Sequence, residues 1–145
     1  MKHLLRLSLT LLLSAAPSLL YCDTITLSGN PSALTINSAV AGSQPASVTN
    51  SSTTYSVSTT LTVRVITGKI NTNMASGLTL QLGLAAPSGA TSLGSVSMTT
   101  VAKNLITGIP INTTSSGNTV TYTFSATVSA VQASNQTKTL TLTLQ

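Results

Sequence analysis

Two neighbouring stretches decide the fold: VTYTFSATVSA at 120–130 and KTLTLTL at 138–144. In the first, Val120, Tyr122, Phe124, Ala126, Val128 and Ala130 alternate with Thr121, Thr123, Ser125, Thr127 and Ser129. A period of two puts one set on each side of a strand, so this strand has an apolar face and a hydroxyl face. The second stretch repeats the design, with Leu140, Leu142 and Leu144 on one side and Thr139, Thr141 and Thr143 on the other. Joined by VQASNQ at 131–136, the two read as an antiparallel hairpin.

The same alternation continues upstream. LTLQLGL at 78–84 places Leu78, Leu80, Leu82 and Leu84 on one face. YSVSTTLTVRVIT at 55–67 reads as one long strand whose inward parity, Tyr55, Val57, Leu61, Val63 and Val65, is broken only by Thr59, with Arg64 on the solvent face. Gly68 bends or bulges its end. Near the start, DTITLSG carries Ile25 and Leu27, Asn30-Pro31 breaks it, and SALTI resumes with Leu34 and Ile36. Residues 41–54, rich in Gly, Ser, Pro, Thr and Asn, read as a loop with at most a brief strand near Val48. AAPSGATS at 85–92 is turn chemistry, a strand starts near Ser95 with Val96 and Met98 inward, and Lys103-Asn104 marks a turn. Residues 105–111 form a short strand that Pro110 confines to an edge or a bulge, and TTSSGN at 113–118 is a connecting loop.

No run has the i, i+3, i+4 spacing of an amphipathic helix, and β-branched residues stand where helix formers belong. The expectation is an all-β chain, an immunoglobulin-like antiparallel β-sandwich of about 7–9 strands. An outer-membrane barrel needs aromatic girdles, and beyond residue 22 the aromatics are Tyr55, Tyr122 and Phe124. The expected core is Leu61, Val63, Leu80, Leu82, Tyr122, Phe124 and Leu142.

The first residues read as an address. Lys2 and Arg6 form a basic n-region, residues 7–16 are uncharged and Leu-rich, and Pro17 ends any helix. This apolar run is shorter than the roughly 20 residues of a membrane-spanning helix. The reading is a signal peptide over 1–22, followed by a single domain over 23–145. Cleavage after Cys22 is favoured over cleavage after Ser18, and lipidation of Cys22 is disfavoured by bulky Tyr21 before it.

Composition then removes whole classes of function. Beyond residue 22 there is no His, Cys, Glu or Trp, and the one acid is Asp23. General acid-base pairs need two titratable partners, zinc needs His or Cys, and calcium needs several carboxylates. Catalytic residues, metal ligands and cofactors are therefore expected to be none. Lys69, Lys103 and Lys138, each in or beside a turn-like stretch, match no Ser-Lys nucleophile motif. Without Lys2 and Arg6 the net charge is +3, spread over scattered cations, so nucleic acid is not an expected partner. With no cysteine left, burial and backbone hydrogen bonding must hold the fold unaided.

DTITLSGNPSALTI at the mature start, and VTYTFSATVSA through KTLTLTL at the end, resemble the layout of secreted bacterial fimbrial subunits and spore-coat-U-like proteins, an immunoglobulin-like group exported by chaperone and usher. The resemblance implies a subunit on the bacterial surface. Its N-terminal strand, here Ile25, Leu27 and Gly29, would complete a neighbour's sheet, and its C-terminal strand, here Leu140, Leu142 and Leu144, would meet a periplasmic chaperone. The chain departs from many such pilins in carrying Leu144 where an aromatic residue stands next to last, and in having no glycine after Gly117. The functional expectation is a non-catalytic secreted structural or adhesive subunit that associates with itself or a related surface subunit. The alternative is a monomeric secreted or surface-attached module binding a carbohydrate or protein.

One prediction follows from processing: N-terminal sequencing of the exported protein should begin at Asp23. A sequence starting at Leu19, or an acylated Cys22 by mass spectrometry, contradicts it.

Overall fold

A computed structural model describes residues 22–37, 40, 42–130 and 136–145. The expected signal peptide, residues 1–21 in particular, lies outside the described residues. Nine strands and no helix occur among the described residues: β1 (Thr24–Leu27), β2 (Val48–Ser58), β3 (Arg64–Ile70), β4 (Leu78–Leu84), β5 (Thr91–Ser92), β6 (Val96–Ser97), β7 (Lys103–Ile109), β8 (Thr114–Ala126) and β9 (Leu140–Leu144). They form two antiparallel sheets, a five-stranded one ordered β1-β2-β8-β4-β6 and a four-stranded one ordered β5-β7-β3-β9.

Both sheets contribute to one apolar cluster. Tyr55, Val57, Leu82, Leu84, Val120 and Tyr122 come from the larger sheet, and Ile66, Ile70, Leu105, Ile106 and Ile109 from the smaller, with Met98 beside them. Ile25, Leu80, Leu140, Leu142 and Leu144 pack against its margin. Tyr55 is buried with its hydroxyl donating to the Ala85 carbonyl at 2.6 Å, so its polar end is satisfied inside an apolar layer. Gly68, in β3, is needed for close packing: a Cβ there would lie 2.7 Å from Leu105 Cδ1 and 3.3 Å from Leu142 Cδ2.

The sequence reading needs correction at several points. Residues 55–67 are not one strand. The chain leaves the larger sheet after Ser58 and enters the smaller one at Arg64. Leu61 and Val63, expected in the core, lie in that passage, 70% and 63% exposed. Thr59, the break in parity, is buried instead. Its Oγ1 donates to the Pro110 carbonyl at 2.7 Å and accepts from the Thr113 amide at 3.1 Å, so local hydrogen bonding overrides apolar periodicity there.

The expected C-terminal hairpin also fails: β8 pairs with β2 and β4, whereas β9 pairs with β3 in the other sheet. Val128, given to the apolar face, is exposed beyond the end of β8. Phe124 is half-buried rather than part of the core, because it pairs with Val48 at an end of β2.

Two segments read as loops are strand. Residues 48–54, where the sequence predicts at most a brief strand near Val48, belong to β2, which pairs along β8 through bulges, one of them at Asn50, whose Oδ1 accepts from the Ser52 amide at 3.0 Å and the Ser52 hydroxyl at 2.8 Å. TTSSGN lies mostly within β8, where Gly117 has φ 70° beside the second bulge. Lys103-Asn104, read as a turn, begins β7, and Leu34 and Ile36 belong to no strand. Leu34 still packs against the core margin.

These positions predict a contrast in stability. Leu82→Ala, a large-to-small change in the core, should cost ~2 to 5 kcal/mol in urea unfolding. Leu61→Ser should stay within about 0.5 kcal/mol of the parent. Equal losses at the two sites contradict the placement of the sheet change.

Candidate functional site

The N-terminal and C-terminal strands are both sheet edges. Among the described residues β1 has β2 as its only strand neighbour, and β9 has only β3. The two edges approach each other on one flank of the molecule. Ile25 is half-buried against the core, Leu27 is 41% exposed, and Gly29 follows the strand with φ 140° and nothing within 4 Å of a Cβ position. Leu140, Leu142 and Leu144 are half-buried, while Thr141 and Thr143 are exposed.

The hydrogen-bond phase of both edges follows from their pairing. Residues Val65 and Gln145 exchange both backbone bonds, at 2.8 and 2.9 Å, and the Asn71 amide donates to the Thr139 carbonyl at 3.0 Å. Bonded and non-bonded pairs alternate along an antiparallel ladder, so Thr139, Thr141, Thr143 and Gln145 turn their backbone groups toward β3. Leu140, Leu142 and Leu144 turn theirs away, into the open edge. On β1 the Ser28 amide donates to the Thr54 carbonyl at 2.9 Å, which by the same alternation turns Ile25 and Leu27 outward. On both strands the apolar residues, Ile25 and the three leucines of β9 against the core margin and Leu27 more exposed, offer their N–H and C=O groups to a partner strand.

Charge does not guard either edge. Asp23, just before β1, accepts at Oδ1 from the Thr60 amide and hydroxyl, both at 2.8 Å, and at Oδ2 from Arg64 through Nε and Nη2. Arg64 thus does not sit on a free solvent face as the alternation implied; it ties the head of β1 to the other sheet. The Thr60 hydrogen bonds, more than the nearby guanidinium, hold the Asp23 carboxyl below its ordinary value of 3.8 against the opposing effect of burial. Lys138, just before β9, donates from Nζ to Thr72 Oγ1 and to the Asn73 carbonyl, both at 2.9 Å, away from the open edge. Lys69 and Lys103 lie within strands β3 and β7 rather than in turns.

Elsewhere the surface offers little chemistry. Among the described residues no three His, Cys, Asp or Glu side chains come together. A shallow depression of about 310 Å³ is lined by small and hydroxyl groups including Gly83, Ser92, Gly94, Ser95, Thr119 and Thr121. No helix among the described residues is long and apolar enough to cross a membrane. No family model, curated protein or solved structure matches the chain.

Apart from the chain-terminal carboxyl, Asp23 is the only acid, so acid sensitivity reports one contact. Its folded-state pKa is lowered, so its stabilisation is present above the unfolded value and lost as pH falls through the folded one. The urea midpoint should be flat from about pH 5 to 8 and drop below about pH 4. Asp23→Asn should lower the plateau and abolish that drop; an unchanged acid limb contradicts the assignment.

Proposed function

We propose that this chain is a non-catalytic, secreted structural subunit, an immunoglobulin-like sandwich that assembles by pairing strands between copies. The observation that carries this reading is the N-terminal edge. β1 is four residues long and is held by one backbone ladder, the packing of Ile25 and the Asp23 contacts, and none of the described residues between it and β2 belongs to a strand. A short terminal strand of this kind is exchanged at low cost, because the bonds it leaves in one copy are remade in the next. Edges without Lys or Glu gatekeepers favour that exchange.

Export supports the same reading: the basic and apolar start fits a cleaved signal peptide, and a neutral Ser/Thr coat suits a part that meets variable salt and pH outside the cell. The resemblance of the sequence layout to fimbrial and spore-coat-U-like subunits supports assembly at the bacterial surface, where a periplasmic chaperone would cover β9 during export. The alternative, a monomeric module that binds carbohydrate, finds no stacking platform among the described residues, since Tyr55 and Tyr122 are 1% and 6% exposed and Phe124 is half-buried.

The test is Ile25→Asp/Leu27→Asp. In the exchanged assembly Ile25→Asp puts unpaired charge into the apolar margin and Leu27→Asp adds charge to the edge beside it, so the protein should keep its β circular dichroism and lose polymers by electron microscopy. A folded variant that polymerises like the parent rules the exchange out.

A further inference from the structure

The hydrogen-bond phase of β9 carries a second association surface that no exchange of β1 fills. We infer that β9 pairs antiparallel with β9 of a second copy about a twofold axis at Leu142, joining two four-stranded sheets edge to edge. This deepens the self-assembly reading but rests on β9 alone.

The edge is its own complement. With the axis at Leu142, that residue faces itself as a hydrogen-bonded pair, and Leu140 faces Leu144 of the second copy. The outward groups of all three leucines are then used, giving about six backbone hydrogen bonds. No other twofold register uses all three. On the inner face the leucines of the two copies meet, covering side chains that the open edge leaves half-buried. On the outer face Thr141 lies opposite Thr143 of the second copy, a favourable cross-strand pair.

An outside strand of unrelated sequence would find the same bonds, but two features favour the chain itself. The edge carries no charge along Leu140–Leu144, so two copies bring no like charges together. Of the two cations beside this strand, Lys138 is drawn back onto Thr72 and Asn73, and Lys69, the cross-strand partner of Thr141, stands on β3, one strand in from the open edge. A twofold contact of this kind closes at a dimer. Combined with exchange of β1 from copy to copy, which already links each copy to two neighbours, it adds a third link that joins one row of subunits to another.

The test uses the exposed partners of the contact. Thr141→Lys/Thr143→Lys and Thr141→Glu/Thr143→Glu each set like charges opposite one another across the axis while leaving the core untouched. In sedimentation velocity over a concentration series, the parent should form dimers or larger species through this edge. Each charged variant should lose the β9-dependent step with unchanged circular dichroism, and an equimolar mixture of the two should regain it. A parent that stays monomeric at every concentration overturns the inference, as does association unaltered in both variants or a mixture that fails to recover. Ile25→Asp/Leu27→Asp reads the other link. If polymers survive both charged variants but vanish in that protein, exchange stands and β9 pairing falls; if dimers survive there but vanish in the charged variants, the reverse holds.

Discussion

The fold depends on a buried threonine. Thr59 stands where the chain passes from the larger sheet to the smaller, and Pro110 and Thr113 stand where it passes back between β7 and β8. The Thr59 hydroxyl bonds to both, its amide donates to the Thr113 carbonyl at 2.9 Å, and the Thr113 hydroxyl donates to Pro110 at 2.8 Å. Two crossovers are thereby fastened to one another at one corner, with their buried polar groups satisfied. With a single cysteine in the sequence, no disulfide within the chain can do this work. The apolar cluster supplies the driving force, and this corner sets how the two sheets are connected.

The legible part of the sequence was the part with strong apolar alternation. Leu78–Leu84 and the core half of β8 were read correctly because Leu, Val and Tyr mark a face at every second position. The break at Thr59 was visible too, but a lone threonine in an apolar parity looks like a tolerated exception until Pro110 and Thr113 are brought beside it. Residues 48–54 and 114–118 were missed because their pairing is made by backbone groups and bulges, and Ser, Thr, Asn and Gly carry the same turn propensity inside a bulged strand as in a loop. The terminal strands were found as strands, yet β9 was given to the wrong sheet, since periodicity says which side chains share a face and not which strand lies alongside. The link from Asp23 to Arg64 and Thr60 had no local signal at all.

Charge in this molecule is scarce enough that its placement shapes the surface. The one side-chain carboxylate, Asp23, and Lys138 just before β9 are both spent on internal contacts, which leaves β1 and β9 themselves with backbone groups, isoleucine, leucine and threonine to present. Natural sheets ordinarily keep such edges apart with charge. A chain that instead ties its flanking charges down has edges suited to pairing, and the association that results should depend little on salt because no ion pair contributes to it.

The most direct measurement is residue-resolved amide hydrogen exchange by NMR, in dilute and in concentrated protein. Open, correctly phased edges predict an alternation along β9 in dilute solution, with Thr141 and Thr143 amides slow and Leu140, Leu142 and Leu144 amides fast. On concentration the leucine amides should become protected and the alternation should disappear. Leucine amides already slow in dilute protein, or still fast when it is concentrated, would contradict the account.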